Sequence, residues 1–502
     1  MIKPAWKMHL LIAGGLTALS LIFVLLRLPT GPAGEWSEHY APEPAWAMLV
    51  WMAGPVVALV GFAVAMSTME VEERQAKRLK LLAPWILVLV SFCFLRSAVH
   101  LRQAGTASNY FYFTAAVGPG AFTAQAMNID NLDEYVGRYS KMAEGHWSEF
   151  GGTRIISNPP GAIVLLYGCR RLLEAWPWLK DIYAGWLDDS PFVGWEREEY
   201  LLRAMTMFVP DVFFFITAFG MVPLWWLAHD LLPKRRVPIA TGLAAMIPSL
   251  FVFSFAKDSF QMSLALWLWW AIHRSMKSDS SVMAFFSGIL LWINLQFSLS
   301  FLVVLAVPVF MFAVGWMAAD RKLDRQRKIL LAVGAAGLMA PVLLLWPLGY
   351  ETWSVLLTAY RGHGQYVKDF GQSYWVWIWL NLFHLLLFIG GPAAGMLIVA
   401  SARTLREAVR SKSWKNIDPY FCGLIVLLLL LNFSGKNLSE IPRLWLFLMP
   451  ALVVTSFRLE GEEGLPAGAG AVLLGLQAIQ MCVYVLMFDP LDSHRVLSGT
   501  FF

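Results

Sequence analysis

Long apolar runs separated by short polar connections dominate this chain, and runs of about 17 to 25 such residues have the length a helix needs to cross a bilayer. About thirteen segments carry the pattern, near residues 8–27, 45–66, 81–101, 203–229, 238–256, 260–274, 281–297, 299–318, 329–347, 375–400, 419–433, 444–457 and 465–488. The pattern predicts an all-α, polytopic membrane protein. One region departs from it. Between about 102 and 202 the chain is polar and acid-bearing, with Asp130, Asp133, Glu134, Glu144, His146 and Glu149 ahead of Ser157-Asn158-Pro159-Pro160-Gly161. Spanning helices need no such residues, so a site outside the bilayer is expected there.

Lys and Arg cluster in 67–80, 230–237, 273–280, 320–328 and 401–417, whereas 28–44 holds none. Basic loops resist translocation, which predicts a multi-pass protein of the cell (inner) membrane with a cytoplasmic N-terminus and an outward-facing 102–202 region. The apolar run at 8–27 is long for a signal peptide and lacks a small-x-small cleavage site, so it is expected to stay as a helix. The same charge argument makes 161–176 a helix that does not cross, because 203–229 must start outside to end at Lys234-Arg235-Arg236. Arg170, Arg171 and Glu174 within it suit an interfacial helix. Asn158 is a suitable N-cap and Pro159 a suitable first-turn residue, so the helix start is expected to offer backbone N–H groups to an anion.

Composition narrows the classes. With 58% hydrophobic and 15% charged residues the chain is too apolar for a soluble globular protein. The net charge of +5 is absorbed by the inner loops, so nucleic acid is not expected as a partner. Cys93, Cys169, Cys422 and Cys482 are scattered without metal-ligand spacing, so neither a disulfide framework nor a zinc site is expected. Asn294, Gln296, Asn381 and His384, set in apolar runs, are expected to face the bundle interior. Trp375, Trp377 and Trp379 have the look of an interfacial belt.

Four polar features project to one outer face in this topology: the acid cluster, the Asn-Pro-Pro-Gly turn, Lys257-Asp258, and the segment 434–443 with Lys436, Glu440 and Arg443. Acids beside cations suit transfer from a phosphate-linked donor, in which a carboxylate takes the acceptor's proton and Lys or Arg stabilises the departing phosphate. Each feature also has a plain structural reading. Lys257-Asp258 can be a helix-capping couple, Arg443 can snorkel to headgroups, and Asp133-Glu134 can complement a helix dipole. His146 and Glu149, three apart, are weak evidence for a metal and suit a solvated face.

The order of these motifs resembles the polytopic GT-C-fold glycosyltransferases that use polyprenyl-phosphate-linked sugars, especially bacterial members related to protein mannosyltransferases and aminoarabinose transferases. In that family a His-Pro-Pro-Leu or Thr-His-Pro-Pro-Gly motif opens a juxtamembrane helix, and here the segment reads Ile156-Ser157-Asn158-Pro159-Pro160-Gly161. Pro248-Ser249-Leu250-Phe251 with Lys257-Asp258 resembles the family's Pro-Ser-x-x-x-Phe helix ending in an Asp. Glu440-Ile441-Pro442-Arg443-Leu444-Trp445-Leu446-Phe447 is similar to its late Glu-x-x-Arg-x-Trp-x-Phe helix. The likeness covers about residues 81–457, with 1–80 as a two-helix addition and 458–502 as a last helix and outer tail. Two departures stand out: Asn158 replaces the usual His, and no carboxylate occurs between Arg102 and Asp130.

The resemblance implies an inverting enzyme that moves a sugar from a polyprenyl-phosphate donor to a hydroxyl acceptor. Asp130, Asp133 or Glu134 would be the base. Asn158, Pro159, Pro160, Gly161, Lys257, Asp258, Glu440 and Arg443 would bind substrate, with Lys257 and Arg443 on the phosphate. A divalent metal is compatible with this chemistry and not demanded by it. A lipid-linked polysaccharide polymerase or ligase is the nearest alternative enzyme, and a transporter or lipid flippase the alternative from another class.

Overall fold

The computed structural model describes residues 4–30, 39–40, 49–69, 73–102, 121–145, 158–185, 197–254, 257–310, 313, 325–369, 373–411, 418–435, 441–458 and 465–489. Among them the architecture is all-α apart from one antiparallel bridge of two residues, β1 (His39–Tyr40) on β2 (Phe488–Asp489). Three helices open the chain: α1 (Pro4–Leu25), α2 (Leu49–Thr68) and α3 (Glu73–Arg102). Four short ones follow, α4 (Ala121–Met127), α5 (Leu132–Gly145), α6 (Gly161–Ala175) and α7 (Pro177–Gly185). The central run is α8 (Arg197–Phe219), α9 (Met221–Leu231), α10 (Val237–Ala245), α11 (Pro248–Val252), α12 (Lys257–Lys277), α13 (Ser281–Phe297) and α14 (Phe301–Val304). Next come α15 (Arg325–Leu345), α16 (Thr352–Asp369), α17 (Tyr374–Ile389) and α18 (Gly391–Ser411). The last are α19 (Pro419–Phe433), α20 (Ile441–Leu444), α21 (Met449–Arg458) and α22 (Ala467–Met487).

Four of these stretches are long and apolar enough to cross a membrane: Trp6–Leu25, Tyr200–Leu231, Arg325–Leu348 and Gly468–Met487. Shorter apolar helices, among them Ser281–Phe297 and Pro419–Phe433, surround them. Large apolar side chains stand at the surface, Leu343 at 58% and Leu344 at 73% exposure, an arrangement suited to lipid and costly in water. This is the make-up of a multi-pass membrane protein. Most of the thirteen expected spans coincide with apolar helices, but several are short or broken.

The breaks have local causes. The expected 238–256 helix ends at Ala245 and resumes at Pro248, because the residue before a proline is driven out of the helical region; Ile247 has φ −59° and ψ 121°. The expected 375–400 helix breaks at Gly390, whose φ of +98° and ψ of 140° suit glycine alone. Both breaks meet α22. Gln477 Nε2 donates to the carbonyls of Ile389 at 2.8 Å and Met246 at 3.3 Å. Gln480 Nε2 donates to Leu387 O at 3.1 Å, while its Oε1 accepts the Gly391 N–H at 2.6 Å. Interrupted backbone inside a membrane bundle must be satisfied by neighbours. Gln477→Leu is therefore expected to strip two buried carbonyls of their donor and to lower unfolding free energy by about 2–4 kcal/mol. A lower thermal unfolding midpoint in detergent would register it.

Apolar side chains form two clusters. The main one fills the bundle between α1–α3 and α8–α22, with Trp225, Phe251, Trp445 and Tyr484 among its fully buried members. The first two helices belong to it: α1 packs on α18 and α22, and α2 on α3, α10 and α22. The second cluster joins α4–α7 to one end of α8, α12 and α13 through Tyr139, Ile163, Leu166, Phe213 and Phe260. Helix α6 buries Ala162, Ile163, Leu166, Cys169 and Leu173, a stripe at helical spacing. It spans Gly161–Ala175, the segment in which a helix was expected.

Candidate functional site

Asp258 and Arg443 meet. Arg443 Nε lies 3.1 Å from Asp258 Oδ2, with side-chain exposures of 14% and 8%. Asp258 stands in the first turn of α12, where a carboxylate complements the helix dipole. Arg443 comes from the single turn α20, held in place because the Ser249 hydroxyl on α11 donates to Pro442 O. Hydroxyls brace the start of α12 as well: Thr217 to Ser259 at 3.2 Å, and Ser259 to Ser254 O at 2.9 Å. The motifs singled out around Ser249, Asp258 and Arg443 thus form one assembly, and Arg443 is drawn inward to a carboxylate.

The Asn-Pro-Pro-Gly turn lies at the same end of the bundle. A Cβ on Gly161 would sit 2.5 Å from Gln296 O, so the turn presses directly on the end of α13. Phe297, the next residue, packs its ring 5.1 Å from Phe260, which lies two residues beyond Asp258. Pro159 and Pro160 are buried, and Tyr139 OH donates to Asn158 O at 2.6 Å. Burial, reinforced by Tyr135 and Tyr350 nearby, holds the Tyr139 phenol well above its usual range, so it stays a neutral donor.

This corrects the expected helix start. Helix α6 begins at Gly161 with Pro160 at the N-cap and no side-chain cap, so Asn158 lies two residues before the cap. The double proline and the contact with Gln296 set the start. An open anion cradle at Asn158–Pro159 is therefore not how the turn is built.

Asp130, Asp133 and Glu134 stay exposed. Asn131 Oδ1 accepts the N–H groups of Asp133 at 2.9 Å and Glu134 at 3.3 Å, making Asn131 the cap of α5. Glu134 pairs with Arg138 at 2.6 Å, one helical turn on. None of the three acids makes a hydrogen bond or ion pair with Arg443 among the described residues. Lys257 opens α12 but its side chain is outside the described set, as are the side chain of Glu144 and all of His146, Glu149, Ser157, Lys436 and Glu440.

Arg170 explains the basic residues of α6. Its Nη1 donates to Met127 O at 2.7 Å and Ile129 O at 2.9 Å, and its Nε pairs with Glu174 at 2.8 Å. Arg171 closes on the same carboxylate at 2.7 Å. These charges clamp α6 to the end of α4. Asn294, Gln296, Asn381 and His384 are all buried, as expected. Trp375 and Trp379 are exposed like a belt, but Trp377 is fully buried, because a residue two positions on points to the other side of a helix.

One group escaped the sequence reading. Asp211 lies inside the long apolar stretch Tyr200–Leu231, 3.2 Å from Arg96 Nε on α3 and 3.0 Å from Tyr183 OH on α7. The signal was present, since a carboxylate within an apolar span marks a paired or functional group. Among the described residues no group of three His, Cys, Asp or Glu side chains is placed to hold a metal, and all four cysteines are free thiols.

No protein-family profile, curated protein or solved structure matches the chain. The functional reading consequently rests on the residues themselves.

Proposed function

We propose that this chain is an integral-membrane inverting glycosyltransferase that moves a sugar from a polyprenyl-phosphate donor to a hydroxyl acceptor at the extracytoplasmic face of the cell membrane. One observation carries the reading: Arg443, oriented by Asp258, lies at the bundle end that also holds the Asn-Pro-Pro-Gly turn. Arginine binds phosphate through a rigid planar fork, and a carboxylate behind it fixes the fork's direction. In the reaction a carboxylate among Asp130, Asp133 and Glu134 removes the acceptor proton. The acceptor oxygen attacks the anomeric carbon opposite the phosphate, and the carbon–oxygen bond to the lipid phosphate breaks. The phosphate leaves as a stable anion beside Arg443 and Lys257, so no general acid is needed.

A transporter or lipid flippase is the second reading, favoured by the paired helix breaks at Met246–Ile247 and Gly390. Interrupted helices meeting inside a bundle are the usual build of a transported-ligand site. Gln477 Oε1, buried at that junction, has no hydrogen-bond partner among the described residues.

Purified protein incubated with polyprenyl-phosphate sugars and membrane extract separates the two. Wild type is expected to release free polyprenyl phosphate. Arg443→Ala and one of Asp133→Asn and Glu134→Gln should lose it by about a hundredfold or more. Release unchanged in all three variants would remove the site assignment, and labelled lipid crossing vesicles without donor consumption would favour transport.

A further inference from the structure

The end of the bundle remote from Arg443 carries a second polar assembly that the proposed reaction does not use. Helix α12 has Asp258 at its start and Lys277 at its end, about 28 Å apart at 1.5 Å per residue. At the Lys277 end, Asp230 on α9 accepts Lys277 Nζ at 2.8 Å and lies 3.4 Å from His273 Nε2 and 4.0 Å from Arg274. His273 Nδ1 bonds the hydroxyl of Tyr420, and Arg458 on α21 stacks 5.2 Å over the Tyr420 ring while pairing with Asp418 at 2.6 Å. Arg236 joins the group through Phe457 O at 3.1 Å.

Two features distinguish this assembly from a set of closed ion pairs. Among the described residues cations are in excess: Lys234, Arg235, Arg236, Arg274, Lys277 and Arg458 stand against Asp230, Asp279 and Asp418. Beside them opens a narrow cleft with apolar walls from Trp269, Val307 and Leu424, and with His273, Tyr420 and Thr455 as its polar lining. Arg458, stacked on the Tyr420 ring that lines the cleft, pairs with Asp418 through Nε, while its buried Nη1 has no hydrogen-bond partner among the described residues. A buried cationic donor lacking an acceptor costs free energy unless something anionic reaches it.

We infer that this end binds an anionic phospholipid, its phosphate on Arg458 and the Lys277 side of the network and the start of an acyl chain in the apolar cleft. Charge excess selects the anionic headgroup, and apolar walls beside it select a lipid over a soluble anion. Basic pockets between helices at the cytoplasmic leaflet take such headgroups. The site is about a membrane thickness from Arg443 and independent of the proposed transfer chemistry.

The test is thermal stability of the purified protein in detergent with added phosphatidylglycerol, phosphatidylcholine or glycerol phosphate. Phosphatidylglycerol is expected to raise the unfolding midpoint, and the other two are not. Arg458→Gln should weaken the apparent affinity for phosphatidylglycerol about tenfold, the equivalent of one charge-assisted hydrogen bond. Arg458→Lys, which keeps the charge beside Asp418 but lacks Nη1, should weaken it severalfold and serves if the glutamine variant does not fold. Arg410→Gln, on the exposed tail of α18, should leave it unchanged. Equal stabilisation by both lipids, an equal shift from glycerol phosphate, or wild-type affinity in the Arg458→Lys protein would overturn the inference.

Discussion

Arg443→Ala is expected to lower the unfolding free energy by about 3–5 kcal/mol, because it takes the guanidinium away from the buried Asp258 carboxylate. The carboxylate is only 8% exposed, so water cannot replace the guanidinium. Asp258→Leu should cost a similar amount for the mirror-image reason. The double variant Asp258→Leu/Arg443→Met should recover most of the loss, since a buried ion pair exchanged for apolar groups of like volume is close to neutral. Denaturant unfolding of the four proteins in one detergent forms a double-mutant cycle, and a coupling below about 0.5 kcal/mol would show that the two residues act separately. The same proteins divide structure from function: stability returns in the double variant, whereas donor turnover does not.

Gly288→Ala and Gly337→Ala are expected to disrupt a close helix crossing, that of α13 on α15. A Cβ at Gly288 would lie 2.1 Å from Gly334 O, and one at Gly337 would lie 2.0 Å from Phe285 O. Both obstacles are backbone, so the helices themselves must separate. Small residues permit such approach between membrane helices, where packing replaces the hydrophobic effect as the source of association. Each substitution should cost on the order of 3 kcal/mol, the upper part of the range for overpacking. Gly334→Ala is the control. Its Cβ would meet Ala284 O at 3.5 Å, ordinary contact, so thermal unfolding should barely move. Equal destabilisation at Gly334 and Gly337 would mean the crossing is not the cause.

Much of the fold was readable because apolar period and length are local properties. Ser281–Phe297 and Pro419–Phe433 match the expected segments residue for residue. A helix at 161–176 was expected, and α6 spans Gly161–Ala175 with a buried stripe at helical spacing. Helix breaks were not readable in the same way. Pro248 signals one, but Gly390 resembles any glycine in an apolar run, and only the approach of Gln477 and Gln480 from far along the chain makes its break tolerable.

The candidate site shows the same division. Asp258 and Arg443 were named from motif order, and their contact is tertiary. Asp133 and Glu134 were named as acids, yet their capping by Asn131 and the pairing of Glu134 with Arg138 are local effects that any exposed helix start offers. Asp211 was passed over because one carboxylate scarcely lowers the hydropathy of a 32-residue apolar stretch. Its significance appears only with Arg96 and Tyr183 beside it.

An experimentally determined structure of the protein in a lipid nanodisc with polyprenyl phosphate bound is the most direct test of the proposed site. The account predicts the lipid phosphate within hydrogen-bonding distance of the Arg443 guanidinium, beside Asp258 and the Asn158–Gly161 turn. A phosphate seated at the Lys277–Arg458 end, or at the Gln477 junction with nothing near Arg443, would contradict it.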